Sequence, residues 1–186
     1  MAGAVTTLLL PGIGNSAAAH WQSLWEVANS GFVRVQQEDW DHPQCDRWLL
    51  NLETAVARSA SPVVLVAHSL GCLLAVQWAQ RTTLTVQGAL LVAPPDPQSA
   101  PFPADAIGFG TLPLAPLPFT SVVVASSNDP YAAWDFSQRY AAAWGSELVH
   151  AGPVGHINAA SGLGSWPAGF ALYHQLITAA LIQTAS

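Results

Sequence analysis

Lysine is absent from this 186-residue chain, and its whole basic complement is five scattered arginines. No cluster of positive charge exists to neutralise a phosphate backbone, which excludes nucleic acid as a partner. Charge of either sign is scarce, at 9% of residues, and the formal net charge of -6 comes from acids spread along the chain without a block. Cysteine is nearly missing as well. Cys45 and Cys72 cannot make a disulfide framework for a chain of this length, and Cys72 reads as a core residue. Histidines are dispersed and the cysteines lie far apart, so no metal site is expected. No apolar run approaches the ~20 residues of a membrane span. The apolar start of the chain carries no basic residue and is interrupted by Pro11-Gly12, unlike a signal peptide. Together these absences predict a cytoplasmic protein with neither membrane nor nucleic acid as a partner; they leave its oligomeric state open.

What the chain does have is apolar residues, at 51% of the total. That proportion predicts one globular domain over residues 1–186 with much buried sheet. The most organised stretch, residues 63–78, reads V-V-L-V-A-H-S-L-G-C-L-L-A-V-Q-W. An apolar, largely β-branched run reaches Ala67, a hinge follows at His68-Ser69-Leu70-Gly71, and a helix-period pattern takes over. A buried parallel strand feeding a helix has this form. Small residues flank Ser69 because strand and helix pass close together there, and the sharp turn lifts the hydroxyl clear of the sheet. Strand patterns at 5–10, 32–36, 86–92, 120–125 and 147–150 alternate with helix patterns at 17–28, 45–58, 131–144 and 167–183. The alternation predicts an α/β fold, a mostly parallel sheet covered by helices on both faces. Residues 93–118 are rich in proline and glycine and lack periodicity. They are either a cover over the site or a padded crossover.

Acyl transfer by serine needs a base for the hydroxyl proton, an acid to orient that base, and donors for the oxyanion. Ser69 follows one strand, Asp129 another and His156 a third, each in a loop at the carboxyl end, where open α/β sheets place their sites. The order serine, acid, histidine is the one this architecture uses. The joint placement is the signal, since any one of the three alone would be weak. The oxyanion donors expected are the backbone N–H groups of Leu70 and of Ile13, the latter in the loop Pro11-Gly12-Ile13-Gly14. Among rivals, His68 adjoins the nucleophile on a sharp turn and is expected to point away. His150 and His174 read as structural or surface groups, and His20 opens the first helix near the glycine loop. Asp135 falls within a helix, and Asp96 and Asp105 in the long loop. Trp21, Trp25, Trp144 and Trp166 read as core. The Gly-x-Gly is too short for a dinucleotide fingerprint, so no cofactor is expected.

These motifs resemble the serine hydrolases related to retinoblastoma-binding protein nine, which include the bacterial YdeN-like proteins. The resemblance runs over nearly the full length, on P-G-I-G-N-S-A-A-A-H-W-Q, A-H-S-L-G-C, S-S-N-D-P-Y, W-G-S-E-L-V, and G-H-I-N with S-G-L-G-S-W-P. It implies a small α/β-hydrolase without a helical lid and a triad falling on Ser69, Asp129 and His156. Ala67 departs from a strict G-x-S-x-G. The retinoblastoma-protein motif L-x-C-x-E begins at Leu70-Gly71-Cys72 but lacks its acid, so that partner is not implied. The expected activity is hydrolysis of a small-molecule carboxylic ester through an acyl-enzyme. An amidase, a peptidase or an acyltransferase would use the same groups, and a protein-binding module could keep the same fold.

Overall fold

Alternate residues of the central strands feed two separate cores. In β1 (Thr6–Leu10), Leu8 and Leu10 point to one face of the sheet and Leu9 to the other. In β3 (Val63–His68), Val63, Leu65 and Ala67 oppose Val64 and Val66; in β4 (Gly88–Val92), Ala89 and Leu91 oppose Leu90 and Val92. Strands buried on both sides must be apolar throughout, which is why these segments read as continuous runs. The computed structural model describes residues 5–184, with side chains to residue 180.

The sheet has six strands in the order β2-β1-β3-β4-β5-β6, all paired in parallel. The remaining strands are β2 (Phe32–Arg34), β5 (Thr120–Ala125) and β6 (Glu147–His150). The chain goes outward from β1 to β2, then returns across β1 to β3 and continues the other way. Right-handed crossovers in opposite directions cover opposite faces. Accordingly α1 (Trp21–Ala28) and α5 (Pro167–Thr184) bury Trp21, Trp25, Tyr173 and Leu176 against one face. On the other face lie α2 (Cys45–Arg58), α3 (Leu70–Ala79) and α4 (Trp134–Trp144), which contribute Trp48, Leu52, Leu73, Trp78 and Trp144. The reversal of direction lies between β1 and β3, and the carboxyl ends of those two strands frame the crevice where such sheets bind ligands.

Helix α2 and strands β5 and β6 begin and end where periodicity places them. Two helices start later than their apolar patterns. Residues 17–20 form a turn, closed by the His20 N–H on the Ala17 carbonyl, and His20 then caps α1 through its ring. Tyr131 is held outside α4 because Asp129 accepts its N–H while its carbonyl accepts the N–H of Asp96. The connection between β4 and β5 contains no helix among the described residues, so the fold has no helical lid. It is firmly attached. Ile107 donates to Pro43 and accepts from Cys45, Leu117 donates to the Trp144 carbonyl, and Phe109 is wholly buried against Trp48. No described helix is long and apolar enough to cross a membrane.

Helix α3 passes so close to β1 that a side chain on Gly71 has no room. A Cβ there would overlap the Leu10 carbonyl oxygen and lie within 2.9 Å of the Pro11 oxygen, both backbone atoms that cannot step aside. Gly71→Ala is therefore expected to destabilise the fold by about 1–3 kcal/mol or more. A lowered urea midpoint at unchanged slope would register this; an unchanged midpoint would mean that α3 can shift away from β1.

Candidate active site

Ser69 stands between β3 and α3 with φ 54° and ψ −124°, a backbone conformation that a serine adopts only under constraint from its surroundings. Its N–H donates to the Val92 carbonyl at 2.9 Å, and its own carbonyl accepts the N–H of Cys72 at 2.8 Å. The Cys72 thiol donates to the same Val92 carbonyl at 3.2 Å, tying the start of α3 to the end of β4. Burial pushes the Cys72 thiol well above its usual range and that of Cys45 to about 11, so neither is available as a thiolate nucleophile. Although Ser69 occupies the cap position of α3, its side chain makes no capping bond. The hydroxyl is 2.8 Å from Nε2 of His156.

The histidine ring is fixed at both nitrogens. Its Nδ1 lies 2.8 and 3.0 Å from the two carboxylate oxygens of Asp129, which can only accept, so Nδ1 carries the ring proton. That leaves the Nε2 lone pair for the Ser69 hydroxyl. Asp129 also accepts the backbone N–H of Tyr131 at 2.9 Å, so it caps the following turn and holds the histidine at once. The loops after β5 and β6 are joined beyond this pair. Asn128 Oδ1 accepts the N–H of Gly155 at 2.7 Å, and Ser126 Oγ accepts that of Val154 at 3.0 Å. His156 is 8% exposed, and the Tyr131 ring lies 4.5 Å from its imidazole.

The loop after β1 lies directly over the serine. A Cβ on Gly12 would be 2.9 Å from Ser69 Cβ and 3.3 Å from Leu70 N. Leu70 is the first residue of α3, where an N–H has no partner within the helix. Ile13 and Leu70 both border a cavity of about 180 Å³ that also touches Ser69 and His156. Arg34 secures the loop from β2, donating to Asn15 Oδ1 at 2.7 Å and to the Ser16 carbonyl at 3.0 Å. Pro95 and Pro103 of the β4–β5 connection form the opposite rim, so this segment both covers the site and makes the crossover.

Ser69, Asp129, His156, Ile13 and Leu70 thus converge at one end of the sheet. His150 and His174 lie outside the cavity, on the surface. His68 does not point away as expected. Its ring borders the cavity, and its Nε2 donates to the His156 carbonyl at 2.9 Å. Strand alternation carried that signal, because residues 64, 66 and 68 share the face covered by α1 and α5. Burial, followed by the nearby His156 and His20, holds His68 well below the usual histidine range, so it is neutral. Tyr131 and the two rim prolines had no sequence signal, since their place depends on how long loops pack. Among the described residues, no group of histidine, cysteine or carboxylate side chains is placed to hold a metal ion.

Residues 7–175 match the family model described as Serine hydrolase. Comparison with curated proteins finds no match. Among solved structures, a YdeN-like hydrolase from Pectobacterium atrosepticum is 34% identical, covering 95% of this chain and 92% of its own, with a TM-score of 0.85. The ydeN gene product of B. subtilis is 20% identical over 95% of this chain and 100% of its own, with a TM-score of 0.77. The type II thioesterase BorB, from the borrelidin biosynthetic cluster, is 15% identical over 95% and 94%, with a TM-score of 0.68. The last two show a shared fold and nothing narrower. A family match over most of the chain, joined to a relative a third identical along nearly all of it, places this protein among the YdeN-like serine hydrolases of the α/β-hydrolase fold.

Proposed function

We propose that this hydrolase cleaves a small-molecule carboxylic ester through an acyl-enzyme on Ser69. The observation that carries the reading is the unbroken hydrogen-bond series from the Ser69 hydroxyl through His156 to Asp129, with proton positions set by acceptor chemistry. His156 Nε2 takes the hydroxyl proton as Oγ attacks the carbonyl carbon, and Asp129 holds the imidazolium that forms. The N–H groups of Leu70 and Ile13 receive the oxyanion, each worth ~10²–10³ in rate. Collapse expels the alcohol, which leaves with the proton from His156. Water then enters by the same route, and the acid departs. The cycle uses protein groups and water alone.

A cavity of about 180 Å³ supports a small acyl group. It lies below the ~300–1,000 Å³ usual for drug-sized ligands. Pro95 and Pro103 on its rim belong to the segment whose Ile107 and Leu117 are tied to the start of α2 and the end of α4.

Incubation with a fluorophosphonate should add one adduct to the intact mass of the wild type and none to Ser69→Ala. The same substitution should lower kcat for p-nitrophenyl butyrate by ~10⁴ or more. An adduct that persists in the variant would remove Ser69 from the reading.

A further inference from the structure

The bond between His156 Nε2 and the Ser69 hydroxyl, 2.8 Å long, exists only while that hydroxyl carries its proton. In the proposed cycle the proton passes to Nε2 and Ser69 becomes acylated, so the Nε2 end of the ring loses its partner. It must then hand the proton to the departing alcohol and take one from water, and hydrogen bonds weaken steeply as they bend. Something other than Ser69 has to keep it aimed. The Asp129 bond does this poorly alone. Nδ1 lies between the two carboxylate oxygens, at 2.8 and 3.0 Å, and a proton shared by two acceptors leaves the ring free to rock between them.

Two rings pack against the imidazole. That of His68 is 5.0 Å from it at 59°, and that of Tyr131 is 4.5 Å from it at 55°. His68 also donates to the His156 carbonyl at 2.9 Å, so its hold is on the main chain of the base. Tyr131 meets the base through its ring. The backbone beneath that ring is locked on both sides, its N–H donating to Asp129 Oδ1 and its carbonyl accepting the N–H of Asp96, each at 2.9 Å. Asp129 Oδ1 therefore serves the tyrosine and the imidazole together, and the two rings are registered to one carboxylate. Tyr131 is half-buried and borders the same cavity as Ser69, so its ring stands beside the reacting atoms and still packs on the base. Neither bond of its backbone requires a ring at this position. The ring's own contact is with His156.

We propose that Tyr131 is a positioning residue, whose ring confines the His156 imidazole so that Nε2 stays aimed at the reacting oxygen once Ser69 has given up its proton. This rests on Ser69 and His156 acting as proposed above. The test compares wild type, Tyr131→Leu and Tyr131→Phe on p-nitrophenyl butyrate. Leucine keeps apolar bulk without a flat ring, whereas phenylalanine keeps the ring. Tyr131→Leu should lower kcat by ~10–10²-fold, the cost of a catalytic group displaced by about 1 Å, while KM moves by less than about threefold. The rate constant for fluorophosphonate labelling should fall by a similar factor, since that reaction needs an activated serine but neither binding of this ester nor deacylation. Tyr131→Phe should recover most of both losses. Urea midpoints show whether each variant is folded, and if Tyr131→Leu is not, Tyr131→Met carries the same expectation. A raised KM at unchanged kcat would overturn the proposal and make Tyr131 a wall of the cavity only. Undiminished labelling in a folded variant without the ring would overturn it as well. So would a Tyr131→Phe as impaired as Tyr131→Leu, which would assign the loss to the hydroxyl. Failure of the wild type to take the fluorophosphonate at all would instead overturn the Ser69 reading, and this proposal with it.

Discussion

The contact on which everything else depends is the close passage of α3 beneath the end of β1. Gly71 lies against the Leu10 carbonyl, and Gly12 lies against Ser69 and Leu70. Two backbones at this separation place the Ser69 hydroxyl, a helix-start N–H with no partner in the helix and a glycine loop side by side. The cost is local strain. Ser69 has positive φ, and so do Asn15, Ala93 and Ile157, each in the chain just beyond β1, β4 or β6. Non-glycine residues in such conformations cost ~1–3 kcal/mol each and persist only where surrounding packing enforces them. Here the enforcing structure is a sheet buried on both faces, with β3 at its centre and every residue of that strand buried.

The polar groups extend this rigidity outward from the strand ends. Val92 supplies one carbonyl that accepts from both Ser69 and Cys72, so the turn at Ser69 is referred to the neighbouring strand. Asp129 divides its oxygens between a backbone N–H of its own turn and the ring of His156. His68 reaches from the end of β3 to the carbonyl of His156 itself. Each loop is thus held by a different strand from the one that carries it. The histidine stands where it does because of bonds to the ends of β3 and β5, and its own short, half-exposed strand β6 contributes little.

Much of this was legible beforehand, for a physical reason. Burial on both faces forces a continuous apolar run, so β3, β4 and β5 could be placed, and the order of the loops after them brought Ser69, Asp129 and His156 together. Adjacency to a sharp turn suggests that His68 points away, but strand alternation, which aims residues 64, 66 and 68 at one face, decides its orientation. Periodicity starts α1 and α4 too early, since it continues through turns whose ends are decided by single hydrogen bonds at His20 and Asp129. The segment 93–118 carries no such signal. Its position depends on Phe109 reaching Trp48 and on carbonyls of distant helices, and none of that has a period.

That attached segment has a kinetic consequence. An enzyme whose cavity is covered by a hinged lid must open and close it in every cycle, and lid motion on the μs–ms scale often limits turnover. In this protein two prolines on the rim belong to a segment tied farther along to α2 and α4 by backbone bonds and a buried phenylalanine. A connection tied in this way is not a hinged cover, so in the proposed cycle access to the cavity does not wait on the opening of a lid.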